Sequence, residues 1–148
     1  MPVTDIARER VVTVDRTASL GTVARRMRED RVGCVVICDD AKPIGVLGER
    51  DLATIVLEES IDPDATTAEE LLSGPSVTVD ADEGIYSLLR TMGEHGVRRV
   101  PIVDDGALVG IVSLSDVVVL LGMELQQVAN VIRADAPAYE RSPADAYE

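Results

Sequence analysis

The chain has 148 residues, of which 46% are hydrophobic, enough for one domain or for two small units that pack together. Asp and Glu total 27 against 14 Lys and Arg, so the formal net charge is -13, and a field of that sign disfavours nucleic acid and anionic membranes as partners. Only 2% of the residues are aromatic, which leaves few side chains on which bases could stack.

The N-terminal stretch MPVTDIARER carries charges where a secretory signal needs an apolar run. The longest wholly apolar run extends from Val117 to Met123, far short of the ~20 residues that span a bilayer. We therefore expect a soluble, cytoplasmic protein with no membrane partner.

The chain contains an internal repeat. A shift of 65 residues aligns 12–57 with 77–122 without a gap, and charged residues and glycines match as well as aliphatic residues. Gly45 and Asp51 correspond in this way to Gly110 and Asp116, so the stretches GVLGERD and GIVSLSD close equivalent units.

Each copy has the pattern β-α-β-β-α. A short β-branched run is followed by helix caps predicted at Thr17 and Asp82, and then by apolar residues at the i, i+3, i+4, i+7 spacing of an amphipathic helix. Two strands joined by an Asp-Asp turn and a second helix complete the unit. The predicted fold class is α/β (α+β), with two βαββα repeats packed as a pseudo-two-fold symmetric pair, since about 55 residues without Phe or Trp bury too little surface to fold alone.

The predicted boundaries are 2–60 for the first repeat, 61–66 for a linker, 67–133 for the second repeat and 134–148 for a flexible tail. The second repeat includes an extended C-terminal helix, because apolar residues continue through Leu125, Val128 and Ile132. The remaining residues lack periodicity and are rich in Pro, Ala and acidic side chains, which is typical of a frayed terminus.

Two interpretations fit the phrase that closes each copy. Ser113 and Asp116 approximate a capping box, and Asp51 follows Gly48 at the equivalent helix start. The same geometry also offers free N–H groups and a positive dipole end to a phosphate or polar ligand, and a carboxylate there can accept both hydroxyls of a ribose. Capping alone leaves the duplication unexplained.

The βαββα order, the pattern G-x-x-[ST]-x-x-D and the stretch GVRRVPIVDDGALVGIVSLSDV resemble a tandem pair of CBS (cystathionine-beta-synthase) domains, over about residues 2–125. The resemblance implies a regulatory module that requires no cofactor and binds AMP, ADP, ATP or S-adenosylmethionine in clefts between the repeats. It does not choose among these adenosine-containing ligands.

For one cleft, the resemblance implies that Asp116 binds the ribose hydroxyls and that Ser113 and Ser115 lie near ribose and phosphate. The adenine of that ligand would lie against backbone at four positions, Val12, Val32, Gly33 and Cys34.

For the mirror cleft, the resemblance implies Asp51 for ribose, Arg50 for phosphate, and Val77 with Val97 to Arg99 for the base. Arg98 and Arg99 match family positions that often contact phosphate, although arginines that start a strand are also commonly solvated charges. Gly48 stands where the family usually has Ser or Thr, so this cleft lacks one hydroxyl.

An enzyme is not expected, and no catalytic residue is assigned. The chain has one His and lacks the G-x-x-x-x-G-K-[ST], H-E-x-x-H and G-x-S-x-G motifs. Cys34 and Cys38 would lie roughly 13 Å apart along a strand, too far for a disulfide or a shared metal ion. No metal site is predicted.

The alternative function is a dimerisation or protein-interaction module that binds no ligand. Under either interpretation, the apolar helices that follow Asp51 and Asp116 predict a homodimer, and the regulated effector protein is unknown. The acidic surplus, with one Lys against thirteen Arg, resembles proteins of salt-loving organisms such as halophilic archaea.

Overall fold

A computed structural model describes residues 1–135 of the chain, which form two compact units. The first unit comprises residues 1–114, and the described part of the second comprises residues 115–135. The predicted tail therefore falls outside the described residues, apart from its first two positions, which are helical.

The elements of the first unit follow the predicted β-α-β-β-α order twice. The first copy contains β1 (Thr13–Asp15), α1 (Leu20–Asp30), β2 (Cys34–Asp39), β3 (Lys42–Gly48) and α2 (Glu49–Glu58). The second contains β4 (Val79–Asp80), α3 (Ile85–His95), β5 (Arg99–Asp104), β6 (Ala107–Ser113) and α4 (Leu114–Asp135), and α4 continues into the second unit. Short 3-10 helices at Val3–Asp5 and Ala68–Leu71 precede the two copies.

Each copy forms its own three-stranded sheet, in the orders β1-β2-β3 and β4-β5-β6. The first strand of each sheet runs parallel to the second, and the second and third form an antiparallel hairpin. Both hairpins shift register at equivalent points, between Ile37 and Cys38 and between Ile102 and Val103. The predicted fold class is confirmed.

The predicted caps of α1 and α3 are wrong by two residues. The hydroxyl of Ser19 accepts a hydrogen bond from the N–H of Thr22 at 3.1 Å and caps α1, whereas the Thr17 hydroxyl donates to Asp15 in the preceding turn. In the second copy the cap is Gly84 rather than Asp82.

The segments that precede the two copies each bond to the other copy. Val3 donates to the carbonyl of Glu83 at 2.8 Å, and Arg8 and Ile111 form an antiparallel bridge. In turn, the N–H of Ala68 donates to the carbonyl of Ala18 at 2.8 Å. The two copies are thus interlinked by an exchange of their introductory segments.

The hydrophobic core of the first copy shows the same exchange. Its buried side chains come from β1, α1, β2 and β3 and from one residue outside the copy: Val14, Val23, Met27, Val35, Ile37, Leu47 and Ala68. Ala68 has no exposed surface, and Leu72 packs against the cluster from the same segment. Aliphatic side chains alone fill this core, as the scarcity of aromatic residues requires.

Helix α4 is far longer than α2 and leaves much of its apolar surface exposed. Within residues 1–135 it is the one helix whose length and composition would allow it to cross a membrane, with a mean hydropathy of 1.3 and 6% of that stretch buried. A single helix of this kind is weak evidence for a span.

Candidate functional site

The start of α2 fixes the carboxylate of Asp51. Gly48 ends β3 in an extended conformation, and its N–H donates to Oδ2 of Asp51 at 2.8 Å. The next N–H, that of Glu49, donates to the carbonyl of Gly33 at 3.0 Å. The capping interpretation of Asp51 is therefore correct, since one of its carboxylate oxygens accepts a hydrogen bond from the N-cap residue of α2.

Asp51 also lines a cleft of about 190 Å³ within the first unit. One wall consists of β3 residues 44–47, and a second consists of residues 71–77, the segment that leads towards β4. Val97 and Arg99, at the start of β5, complete the lining. Both copies of the repeat therefore contribute to one cleft.

The segment 71–77 lies directly across β3. A Cβ atom added to Gly45 would come within 2.4 Å of Cδ2 of Leu72, so a larger residue at this position would displace the Leu72 side chain. Farther along, the hydroxyl of Ser76 donates to the carbonyl of Pro43 at 3.2 Å. Gly74 makes the intervening turn with φ +82°, a left-handed conformation that favours glycine.

The same steric requirement explains the matching glycine of the second copy. A Cβ atom on Gly110 would lie 3.1 Å from Cβ of Ala7 and 3.2 Å from the carbonyl oxygen of Arg8. The repeated glycines of GVLGERD and GIVSLSD thus admit the exchanged segments, a role that the sequence analysis did not assign to them.

Arg99 supplies positive charge at this cleft. Its charge acts on Cys34, the residue at the equivalent position of the first copy: burial raises the pKa of the Cys34 thiol, and the nearby Arg99 partly opposes that rise. Burial likewise raises the pKa of Cys38. Both cysteines are free and are held in their neutral form, which fits the role of small packing residues.

The structure brings four of the predicted site residues together. Asp51, Val77, Val97 and Arg99 all line the one cleft. Arg50 precedes Asp51 in α2 and is exposed but is not part of the lining, because neighbouring helix residues point about 100° apart. Arg98 is exposed and likewise outside the lining.

The residues predicted for the other cleft occupy both units. In the first unit, Val12 directly precedes β1, and its carbonyl accepts a hydrogen bond from the N–H of Val36 in β2 at 3.0 Å. Residues 32 and 33 precede β2, and Cys34 is its first residue.

Ser113 ends β6 opposite Arg99 in the hairpin register. Ser115 and Asp116 belong to the first turn of α4, in the second unit. Asp116 is half-buried and Ser115 is exposed.

The larger part of the cleft wall, residues 44–47 and 71–76, was not predicted from the sequence. Gly45 and the Gly74-Pro75 pair were the available signals, because a glycine inside a strand indicates close backbone or side-chain approach and Gly-Pro marks a turn.

The model of the CBS domain family matches the chain twice, at residues 3–58 and 60–122. The chain belongs to the CBS domain family and contains a tandem pair of these domains.

Two curated relatives share more than a third of their aligned residues with the chain. A Methanopyrus kandleri protein is 38% identical over 115 residues, which are 76% of this chain and 59% of that protein. Hypoxic response protein 1 of Mycobacterium tuberculosis is 39% identical over 114 residues, 76% of this chain and 80% of that protein. The chain thus spans little more than half the length of the Methanopyrus relative.

Solved structures have the same fold. The crystal structure of Hypoxic Response Protein I, described with two coordinated zinc ions, has a TM-score of 0.72 at 37% identity and covers 80% of this chain and 97% of its own. The CBS domain protein PAE2072 from Pyrobaculum aerophilum, solved in complex with AMP, has a TM-score of 0.70 at 25% identity. The match covers 78% of this chain and 89% of that protein's chain. Among residues 1–135 of the present chain, no group of three or more His, Cys, Asp or Glu is placed to hold a metal ion.

Proposed function

We propose that the protein is a regulatory module that binds an adenosine-containing ligand, such as AMP, ADP, ATP or S-adenosylmethionine, in the cleft beside Asp51. The observation that carries the proposal is the meeting of Asp51, Val77, Val97 and Arg99 from both copies of the repeat around one cleft. The complex of the Pyrobaculum relative with AMP supports the same ligand class.

The Asp51 carboxylate suits a ribose. Its Oδ2 already accepts from Gly48, but two carboxylate oxygens offer about four acceptor positions, which leaves room for two vicinal hydroxyls. Each charge-assisted hydrogen bond of this kind contributes about 1.5–3 kcal/mol. The backbone at Val77 and Val97 would hold the base.

The volume of the cleft favours the nucleoside part of the ligand. About 190 Å³ is less than the roughly 300–1,000 Å³ typical of sites that enclose a whole small molecule. A base and ribose would fill the cleft, and a phosphate or other substituent would extend towards solvent, where Arg99 and Arg50 would contact it.

Charge supports this cleft over a second, more acidic depression of the first unit. That depression, of about 690 Å³, is lined by four aspartates at positions 80, 82, 104 and 105. In a chain of net charge -13, such a surface repels an anionic ligand, whereas Arg99 gives the Asp51 cleft local positive charge.

The repeat extends the proposal to a second site. Asp116 is the counterpart of Asp51 in the repeat, so we propose the corresponding ribose role for it, with Ser115 in the same helix turn. Gly48 replaces the hydroxyl that Ser113 provides, so the two sites would differ in affinity.

A ligand held by both copies would couple its binding to their relative orientation, which is the proposed route of regulation. The proposed role is non-catalytic and cytoplasmic, and the signal passes to an effector protein through a homodimer. The composition supports a salt-adapted source, because roughly 3 Å of Debye length at 1 M salt would screen the repulsion among the acidic groups.

The exposed apolar residues of α4 favour one other function, a protein-interaction module that binds no ligand. Calorimetric titration of the protein with AMP, ATP and S-adenosylmethionine separates the two. The informative variant is Asp51→Asn, which keeps an oxygen for Gly48 but removes the charge. The matched control is Glu49→Gln, which removes a carboxylate from the same helix turn, outside the cleft lining.

We expect Asp51→Asn to weaken one of two binding events by roughly 10- to 150-fold, the equivalent of 1.5–3 kcal/mol, and Glu49→Gln to leave that event unchanged. Asp116→Asn should weaken the other event. Equal affinity for Asp51→Asn and the parent protein would remove the ribose role, and absence of binding to all three ligands would favour the interaction module.

A further inference from the structure

The C-terminal helix carries a seven-residue apolar pattern beyond the part of the chain that defines the family. Apolar residues recur with alternating spacings of three and four along α4, at Val118, Leu121, Leu125, Val128 and Ile132. This is the a/d pattern of a coiled coil, and three of its five positions lie after residue 122, where the family match ends. We call these five residues the α4 seam.

The α4 seam is exposed along its whole length. Its side chains retain between 49% and 68% of their surface, the least at Leu121 and the most at Leu125. Aliphatic side chains at these spacings stabilise a helix only when another surface covers them, because an isolated helix of this length is marginal in water.

From residue 126 onward the opposite side of the helix is polar, whereas nearer the helix start Val119 and Met123 are exposed outside the seam. Gln126 and Gln127 each hydrogen-bond to Asn130, and Arg133 also bonds to Asn130, so these four side chains form one continuous polar face. A helix that crosses a bilayer would expose this face to lipid. Over residues 125–133 the apolar stripe is one-sided and fits a partner helix, with the polar face towards water.

Charge favours a second copy of the same chain as the partner. Charged residues make up 28% of the sequence, but between Asp116 and Arg133 there is one, Glu124. Two chains of net charge -13 repel each other over most of their surface, and an uncharged stripe is where two such copies can approach. In a parallel pair in register, Glu124 at the g position would face Ala129 at the partner's e position, so no like charges meet.

Identical helices also match each other residue by residue. The seam has a constant period and side chains of similar volume, so a two-fold axis would bring aliphatic residues together in every layer. We propose that the α4 seam is a coiled-coil contact between two copies of this chain, which extends the proposed homodimer beyond the CBS domains. The proposal rests on dimerisation and is independent of ligand binding.

The test compares two charge insertions in the same helix. Leu125→Glu places a charge in the centre of the seam, whereas Met123→Glu places the same charge two residues away, at a site of nearly equal exposure outside the seam, 64% against 68%. Sedimentation velocity of the full chain over a concentration series, at 0.1 M and 2 M KCl, measures the dimer dissociation constant for each. Circular dichroism monitors the fold, and Leu125→Ala supplies a milder variant.

We expect at least a tenfold weaker dimer for Leu125→Glu, a several-fold weaker dimer for Leu125→Ala, and little change for Met123→Glu. Titration with AMP should give the same affinity in all variants that fold, which separates this proposal from the ligand proposal. Equal effects of Leu125→Glu and Met123→Glu, or none, would overturn the seam. So would a monomeric parent protein that floats with phosphatidylcholine and phosphatidylglycerol vesicles, which would assign the stripe to a membrane.

Discussion

Replacement of Gly45 by Ala tests the close approach that shapes the cleft. The added Cβ would lie 2.4 Å from Cδ2 and 2.9 Å from Cδ1 of Leu72. Carbon atoms in contact lie about 3.5–4.0 Å apart, so the Leu72 side chain has to withdraw by about 1 Å. Overpacking of this kind costs about 1–3 kcal/mol, which corresponds to a decrease of roughly 2–12 °C in Tm for a chain of this size.

The assay is thermal and urea unfolding of the full chain, followed by circular dichroism. Gly93→Ala is the matched control, because a Cβ at Gly93 in α3 meets nothing within 4 Å and Ala is favoured over Gly inside a helix by about 0.5–1 kcal/mol. Gly93→Ala should therefore unfold at the same temperature as the parent protein or higher.

A double-mutant cycle with Leu72→Ala isolates the clash. Leu72→Ala removes the Cδ atoms that the new methyl group would meet, so Gly45→Ala should cost much less in that background. We expect a coupling free energy of about 1–2 kcal/mol between the two substitutions. An unchanged Tm for Gly45→Ala alone, or strictly additive effects in the cycle, would refute the steric argument.

Three further substitutions probe local features of the first unit. Arg31→Gly should raise the free energy of unfolding by about 0.5–1 kcal/mol, as measured by urea unfolding. Arg31 caps the C-terminus of α1 in a left-handed conformation, at φ 54°, which costs a residue with a side chain about 1–2 kcal/mol. Ser19→Ala should lower it by about 1 kcal/mol through loss of the cap to Thr22, whereas an unchanged midpoint would show that the cap is dispensable. Hydrogen bonds from Ser87 and from the N–H of Asp80 hold the pKa of Glu83 below its usual value. Near pH 4 the folded state thus binds fewer protons than the unfolded state. The stabilisation from the Glu83 carboxylate is therefore complete above about pH 4.3 and is lost as the pH falls further. Glu83→Gln should flatten the curve of unfolding free energy against pH in that acidic range, and parallel curves for the variant and the parent protein would contradict this.

The local elements were predictable because local residues determine them. Apolar runs flanking an Asp-Asp turn predicted a strand pair in each copy, which the structure has as β2-β3 and β5-β6, and the 3.6-residue periodicity predicted α1 and α3. The helix starts were less certain, since several polar residues near each start can cap. Ser19 rather than Thr17 caps α1, because the Thr17 hydroxyl donates a hydrogen bond to Asp15 in the preceding turn.

The exchange of introductory segments was beyond the reach of the sequence. Residues 67–72 and 3–7 stand at the same offset before their own copies, and the two copies present equivalent surfaces, so nothing local decides which copy receives which segment. The choice depends on contacts distant in sequence, such as the bond from Ala68 to Ala18. The cleft wall formed by residues 71–76 was missed for the same reason.

For the site, the repeat identified Asp51 through its equivalence to Asp116, and the resemblance to CBS domain pairs supplied Val77, Val97 and Arg99, which line the same cleft. The resemblance to CBS domain pairs assigned Arg50 to the same cleft, but adjacent residues of a helix point in different directions, and Arg50 is outside the lining.

Each copy packs against the segment that precedes the other copy, so the pair, rather than the single domain, is the smallest unit that we expect to fold by itself. A cut in the linker near Pro63 would leave two fragments that each retain a piece of the other's architecture, since Val3 bonds to Glu83 and Ala68 to Ala18 across the break. Such fragments would therefore stay associated after cleavage. A chain with the first copy alone would lack Ala68, which is part of the hydrophobic core of that copy.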